Sequence, residues 1–396
     1  MTIAARLTTA DRFASDCMRS DAPQTRVVVF GDFAAVEPLW RELEATSPLS
    51  TPYQRFEWLA NWFAHVGRRA GCEPLIVAGV DRDDAPMFIL PLMRERRYGC
   101  HIARFCGGSH SNLNIAIWRS DVAARLTASQ VIAFLKDVAA ERCVDLFAFE
   151  GQPSVWCGVP NPFAALSRQP SPDDVYVGNV EAAPRPYLPR RMRKKERRLM
   201  KLAGFRFGKA QTPGDVDRLL AAFWPQKAAR FAEQGIDNVF TKPGVVDFIH
   251  AACLDGLIEG RPAIDLFALE SVGEILAVIG GVGNDQRFSV MFNSITAGVH
   301  ARRSPGILLV ADIVAHCAAR GIASFDLGAG HVPYKAYFCS EREQRFDSFI
   351  PFSARGRALA AACRAASAAR RSLKATPSLF GALHAVRRGL FRTRRA

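Results

Sequence analysis

The sequence lacks the patterns that mark membrane, secreted and metal-binding proteins. None of its 396 residues lies in a stretch of 18 or more uncharged apolar residues, so we expect no transmembrane helix. Residues 1–25 mix Arg6, Asp11 and Arg12 with short apolar runs, unlike a signal peptide, and we interpret them as a flexible leader. The ten cysteines include no Cys-x-x-Cys pair, which argues against zinc ribbons and thioredoxin-type motifs. These absences predict a cytoplasmic protein with reduced thiols and no metal.

Positive charge is concentrated in two segments. Residues 185–201 carry a net charge of +8, and residues 348–396, which contain no Asp or Glu, carry +11. Because the whole chain has a net charge of +14, the remaining residues have a net charge of −5. The pattern indicates a slightly acidic globule with two basic appendages. No aromatic residue interrupts the basic run Arg190–Lys201 to stack on bases, so nucleic acid is not the favoured partner.

The basic end of the chain, residues 353–396, is predicted to be a helical or disordered tail. Its alanine-rich part is prone to form a helix with several cations. Such a segment either contacts an anionic membrane surface peripherally, which would place the protein at the inner face of the membrane, or stays solvated.

The hydrophobic pattern of the chain repeats once. Trp40 and Trp224 are 184 residues apart, and Asp121 and Gly306 are 185 apart. In the second half, strand patterns at 264–270, 275–282 and 288–296 with short connections predict an antiparallel meander, which a helix at 305–320 and a further strand follow. We therefore predict an α/β fold of two related units, each a mixed, mostly antiparallel sheet flanked by helices. Two unrelated α+β domains are the alternative.

This repeat sets the predicted domain boundaries. They are a leader at 1–25, an N-terminal unit at 26–183, a basic linker and helix at 184–210, a C-terminal unit at 211–352 and the tail at 353–396.

The sharpest local signal lies where a strand pattern gives way to a helix pattern. Ser304 is placed to cap that helix and Pro305 suits its first turn. Unpaired amides at a helix start favour anions, and a glycine lets a phosphate approach the backbone. The predicted anion-binding residues are Arg302, Arg303, Ser304, Gly306, Ile307 and Leu308. A plain helix start with two solvated arginines is the alternative. In the first half, Trp118-Arg119-Ser120-Asp121 has an acid and no glycine, which predicts a degenerate unit.

The chain resembles the GCN5-related N-acetyltransferase (GNAT) superfamily, because three antiparallel strands are followed by Arg-x-x-Gly at a helix start. The chain further resembles the CelD-like acetyltransferases associated with bacterial cellulose biosynthesis, which are compared with the Fem transferases. The residues that carry this resemblance are Arg190–Leu199, Ser304–Leu309 and Phe325–Phe338. Leu308 departs from the family pattern, which has a small residue there. The resemblance implies a tandem GNAT-like fold that binds acetyl-CoA or another acyl-CoA, or an analogous donor, in the C-terminal unit, without a metal.

Acyl transfer needs a held thioester, a deprotonated acceptor and a proton for the departing thiolate. Asp326 is a candidate base or acceptor-orienting group, Tyr334 a candidate acid, and Lys335 a candidate for steadying a phosphate or an oxyanion. Candidate substrate contacts are Asn293, Ser294 and His331. An Asx turn at Asp326, a core aromatic at Tyr334 and a solvated Lys335 are the structural alternatives.

The function predicted from these patterns is acyl transfer to an amine or hydroxyl acceptor, a small molecule or a polysaccharide-pathway intermediate. An acyl carrier protein is an alternative source of the acyl group. Two other functions stay open: a Fem-like transferase that uses aminoacyl-tRNA, and a non-enzymatic scaffold of a polysaccharide synthase.

Overall fold

The computed structural model describes residues 25–46, 48–180, 188–330 and 332–375. The predicted leader up to residue 24, residues 181–187 of the predicted linker region, His331 and residues 376–396 of the predicted tail lie outside the described residues.

The secondary structure follows the predicted order closely. The helices are α1 (Phe33–Ala45), α2 (Phe56–Trp62), α3 (Ser120–Ala123), α4 (Ala128–Glu141), α5 (Arg190–Leu199), α6 (Pro213–Gln234), α7 (Val245–Leu254), α8 (Pro305–Ala319) and α9 (Ala354–Ala375). The strands are β1 (Arg26–Phe30), β2 (Glu73–Val80), β3 (Pro86–Arg97), β4 (Cys100–Phe105), β5 (Ile117–Trp118), β6 (Leu146–Pro153), β7 (Val155–Trp156), β8 (Val159–Pro160), β9 (Gln169–Pro170), β10 (Val175–Asn179), β11 (Arg206–Lys209), β12 (Asp265–Ser271), β13 (Glu274–Gly283), β14 (Arg287–Ile295), β15 (Ser324–Ala329), β16 (Glu341–Glu343) and β17 (Arg345–Pro351). Among the described residues, no helix is both long and apolar enough to cross a bilayer.

The chain forms two compact units, and each is discontinuous in sequence. Unit 1 holds the described residues up to Pro172 together with Gln344–Arg370, and unit 2 holds Asp173–Glu343 together with residues from Arg371 onward. The difference from the predicted boundaries, 26–183 and 211–352, has a structural cause. Strand β10 pairs with β15 in the unit 2 sheet, and β17 pairs with β6 in the unit 1 sheet. Each of these strands lies on the far side of a predicted boundary.

In the described part of unit 1, eight strands form one sheet in the order β1-β2-β3-β4-β6-β17-β9, with β5 paired to β3. All pairs are antiparallel except β4 with β6. Buried aromatic side chains fill the core, including Trp40, Trp58, Trp118 and Phe149. Each large aromatic ring buries much apolar surface, so a few such residues can fill the space between a sheet and the helices on its faces.

Unit 2 repeats this topology. Its described residues form a seven-stranded sheet in the order β11-β12-β13-β14-β15-β10-β16, in which only β14 and β15 run parallel. One face of the sheet packs against α5 and α8, through residues such as Met192, Leu199 and Leu309. Phe223 of α6 packs against Phe292 of β14, with ring centroids 4.9 Å apart. The two units therefore share one mixed α/β arrangement, and the predicted fold class is confirmed.

Candidate functional site

The parallel strands β14 and β15 form a wedge in unit 2. They pair only at Arg287–Ser289, opposite Ser324–Asp326, and beyond that point β15 no longer pairs with β14. Met291 is an extra residue in β14, since Gly280 pairs with Phe292 and the next residue, Gly281, pairs with Val290. Within the described residues, the edge of β14 from Val290 onward has no neighbouring strand. This open edge can accept an extended ligand as an added strand.

Asp326 lies at the apex of this wedge, where the pairing of the two strands ends. Its carboxylate accepts hydrogen bonds from the Ser289 hydroxyl and from the Gly328 amide, the latter at 2.9 Å. Burial raises the pKa of Asp326 to about 6, although the Ser289 hydrogen bond and the Arg287 charge oppose this shift. Asp326 and Ser289 are both 0% exposed, so the predicted contact of Asp326 with an acceptor is not available. Its role in this fold is to join the two strands.

Lys335 holds the glycine-rich turn that follows β15. Its ammonium donates hydrogen bonds to the carbonyl oxygens of Gly328, Ala329 and Gly330, at 2.9, 3.2 and 2.9 Å. The side chain is buried, and burial lowers its pKa to about 8. All three ammonium protons are therefore engaged by the backbone. The predicted contact of Lys335 with a phosphate or an oxyanion would require breaking at least one of these bonds.

Replacing Lys335 with methionine should destabilise the fold by about 1–3 kcal/mol, because three carbonyl groups lose a charged donor. Urea unfolding followed by circular dichroism measures this change. Lys242→Met removes an exposed lysine and is the matched control, for which we expect a change within about 0.5 kcal/mol. Equal stability of the two variants would show that the Lys335 bonds do not hold the turn.

The start of α8 has the geometry of an anion site. Ser304 has φ 56° and ψ 51°, a left-handed conformation that is unusual for serine. Its carbonyl already accepts hydrogen bonds from the amides of Ile307 and Leu308, at 3.1 and 3.4 Å. The Gly306 amide has no hydrogen-bond partner among the described residues, so it is the donor left for a ligand. Of the predicted binding residues, Leu308 is 1% exposed in the core, where it cannot contact a donor.

The basic helix α5 packs beside this start of α8. Lys195 donates to the Ser304 hydroxyl at 2.7 Å, and Arg303 donates to the Arg198 carbonyl at 3.1 Å. Burial and the charge of Arg191 lower the pKa of Lys195. We call Lys195, Arg303, Ser304 and the Gly306 amide the anion cradle. Further positive charge surrounds it, from exposed Arg302 and from the outer face of α5, which exposes Arg190, Arg191, Arg193, Lys194, Arg197 and Arg198.

The remaining predicted residues divide between the core and the wedge. Ser294 is buried and its hydroxyl donates to Gln226 of α6 at 2.7 Å, so it is not available to a substrate. Asn293 is half-buried beside the open edge of β14. Tyr334 packs partly against the core, and burial raises the pKa of its phenol. Its hydroxyl has no hydrogen bond to the described residues. His331 lies outside the described residues.

Unit 1 has a wedge between β4 and β6, but Asn114 of the same unit forms hydrogen bonds with β6 at the end of that wedge. Asn114 donates to the carbonyl oxygens of Gly151 and Glu150, at 3.0 and 2.9 Å. In the part of unit 2 that the structure describes, no hydrogen bond joins residues 296–304 to the end of β15. The helix matching α8 is α4, whose first turn contains no basic residue and whose Thr127 accepts a bond from the Gln130 amide. Asp121 lies in the separate short helix α3.

Residues 189–336 match the family model described as the acetyltransferase (GNAT) domain. This match lies within unit 2. FemX shares the fold at a TM-score of 0.55 and 9% identity, over 79% of this chain and 96% of that chain. L-PGS from Bacillus licheniformis shares it at a TM-score of 0.50 and 11% identity, over 82% and 95% of the two chains. No curated protein matches the sequence.

Two cations of unit 2, Lys195 at the anion cradle and Lys227 at the wedge, were not among the predicted residues. Lys195 lies at the third position after Met192, and Leu199 at the fourth after Lys195, so this spacing places the lysine toward the buried face of α5. Lys227 lies four residues after Phe223, which is buried, and four before Phe231. A lysine on an apolar helix face is a signal that the sequence contains. The group that each lysine reaches, the Ser304 hydroxyl for Lys195 and the Asn293 carbonyl for Lys227, is set by the fold.

Proposed function

We propose that unit 2 is an acyltransferase that takes an acetyl or acyl group from acyl-CoA and transfers it to an amine or hydroxyl acceptor. The observation that carries this proposal is an open strand edge that leads directly into an anion cradle. The extended pantetheine arm of the donor would pair with the edge of β14. Its diphosphate would then meet the Gly306 amide, Lys195 and Arg303 at the start of α8.

Calorimetry with acetyl-CoA tests the proposal directly. We expect binding in the micromolar to low-millimolar range, because one amide and two cations contact the diphosphate. Affinity should fall as salt is raised, since these cations are partly exposed. Acetyl-pantetheine, which has the same thioester but no phosphate, is the matched control ligand and should bind at least about tenfold more weakly. Equal affinity for the two ligands, or no binding of either, would contradict the assignment of the cradle.

A second function is favoured by the position of α5. Its outer face exposes six cations next to the cradle, more positive charge than the three phosphates of CoA require. A Fem-like transferase that uses aminoacyl-tRNA would contact RNA phosphates there, with binding that weakens steeply as salt increases. Filter binding of total tRNA across a salt series separates the two functions. Tight, salt-sensitive tRNA binding together with no acetyl-CoA binding would favour the second.

The same outer face of α5 suits an acyl carrier protein as donor, since such a protein presents the same pantetheine arm on an acidic surface. We also propose that the basic tail contacts an anionic membrane surface. The association with cellulose or exopolysaccharide production depends on the sequence resemblance. Identifying the acceptor requires a screen of amines and hydroxyl compounds with thiol release as the readout.

A further inference from the structure

Lys227 of α6 occupies an unusual place beside the wedge. Its ammonium donates to the backbone carbonyl of Asn293 at 2.9 Å and lies 3.5 Å from the side-chain oxygen of the same residue. The rings of Phe231 and Phe240 lie 4.9 and 5.9 Å from the ammonium, measured to their centroids. The half-buried cation is therefore stabilised by aromatic faces and one carbonyl, and it forms no ion pair with a described residue.

The register of β14 shows which edge this ammonium reaches. The Thr296 amide donates to the Leu276 carbonyl, so that pair is hydrogen-bonded across to β13. Hydrogen-bonded and non-hydrogen-bonded pairs alternate in an antiparallel ladder. Asn293, opposite Ile279, is three positions away and belongs to a non-hydrogen-bonded pair. Its carbonyl and amide therefore point away from β13, toward the open edge of β14. Lys227 reaches that edge from α6.

Ile295 belongs to the same edge and connects it to the cradle. A Cβ atom placed on Gly306 would lie 2.9 Å from the Ile295 side chain, so the start of α8 packs directly on this end of the strand. Asn293 precedes Ile295 by two residues, about 7 Å along a strand. A donor whose diphosphate occupies the cradle and whose arm follows the edge of β14 would pass the Lys227 ammonium.

We propose that the Lys227 ammonium binds the carbonyl oxygen of the donor thioester and stabilises the oxyanion formed during acyl transfer. This inference rests on the proposed function of unit 2. The acceptor nitrogen or oxygen bonds to the carbonyl carbon, and the electron pair of the C=O double bond moves to the oxygen beside Lys227. That pair returns as the C–S bond breaks, and the thiolate leaves with the proton that the acceptor gives up. Lys227 keeps its own proton and supplies charge.

The charge of Lys227 is sensitive to pH. Burial and, to a smaller extent, the positive charge of Arg230 on the same helix lower its pKa to about 8. Arg230 itself pairs with Glu233. Asn293 of β14 and Phe240 of residues 239–241, which contact the ammonium, carry no charge. The ammonium is therefore charged at neutral pH and loses its proton as the pH rises through about 8, so an interaction that needs this charge weakens in the same range.

The test compares two ligands that differ only at the carbonyl. Acetyl-CoA has the thioester carbonyl group, whereas S-ethyl-CoA, a thioether that cannot donate an acyl group, has a methylene group in its place. At pH 7 the wild-type protein should bind acetyl-CoA about tenfold more tightly, the effect of one hydrogen bond to a charged group. This preference should disappear above about pH 9 in the wild type and at every pH in Lys227→Met. Lys227→Arg keeps its charge and should retain the preference at pH 9.

Free CoA is the control for folding, because it lacks the acyl group and should bind the wild type and both variants equally. Equal acetyl-CoA preference in the wild type and in Lys227→Met would overturn the role of Lys227 and leave the proposed function intact. A wild-type protein that binds none of the three CoA ligands would overturn both. A preference that persists unchanged in the wild type at pH 9 would also contradict the role, because the neutral amine would then suffice.

Discussion

Replacing both Lys195 and Arg303 with glutamate is expected to weaken acetyl-CoA binding by at least about 100-fold. Each side chain is held at the start of α8, Lys195 by the Ser304 hydroxyl and Arg303 by the Arg198 carbonyl. The reversal removes two cations from the cradle and places two carboxylates near the position of the diphosphate. Either single substitution should cost about tenfold. Calorimetry at low salt measures the change, since low salt screens the charges least.

A matched variant separates local contacts from the net charge of the protein. Arg197→Glu changes the net charge by the same amount as Lys195→Glu and on the same helix, but Arg197 lies two residues from Lys195 and faces solvent. We expect this variant to bind acetyl-CoA within about threefold of the wild type, as weakly coupled surface charges do. If Arg197→Glu weakens binding as much as Arg303→Glu does, the donor interacts with the field of the whole helix. The cradle would then not be a specific site.

Local patterns in the sequence were enough to predict most of the elements. The three strands expected at 264–270, 275–282 and 288–296 form β12, β13 and β14 with ends shifted by one residue. The helix expected at 305–320 is α8, which ends one residue earlier. Apolar periodicity and turn residues act over short distances along the chain, so each of these elements carries its own signal.

The origin of the last strand in each sheet could not be predicted in this way. Strand β10 is five residues long and pairs with β15, which lies about 150 residues further along the chain. Strand β17 likewise pairs with β6, far back along the chain. A short apolar run has no local feature that selects its partner, because pairing depends on which sheet edge remains open after the units fold. The predicted boundaries at 183 and 352 therefore treated each unit as one continuous stretch of the sequence.

The residues of the candidate site divide in the same way, into those with a local sequence signal and those that the tertiary structure places. Ser304 and Gly306 were predicted because an N-cap, a proline and a glycine are local signals of a helix start. Asp326 was expected to act on a substrate, because an acid at the end of a central strand can be exposed to a ligand. Its burial results from β10 and β14, which flank β15 on both sides. Lys195 reaches Ser304 from α5 and Lys227 reaches Asn293 from α6, so only the tertiary structure brings each lysine to the site.

Asp326→Asn should remove a pH dependence of stability that the buried carboxyl group imposes. In the unfolded chain an aspartate titrates near its ordinary pKa of about 3.9, whereas burial raises the folded pKa of Asp326 to about 6. Between these values the folded state binds more protons than the unfolded state, so stability falls as the pH rises. The full difference is about 3 kcal/mol and is reached above about pH 6, where the buried carboxylate is charged in the folded state.

Urea unfolding of the wild type and of Asp326→Asn at a series of pH values between 4 and 7.5 measures this effect. Subtracting the two curves cancels the other titrating groups, which both proteins share. The free energy of unfolding of the wild type, relative to the variant, should decrease by about 2 kcal/mol from pH 4 to pH 7, since an unfolded aspartate is already about half ionised at pH 4. Asparagine keeps an oxygen that can accept the Gly328 amide, so the variant should fold. A flat difference would mean that the Ser289 and Arg287 interactions fully offset the cost of burial, so that Asp326 has the same pKa in the folded and unfolded states.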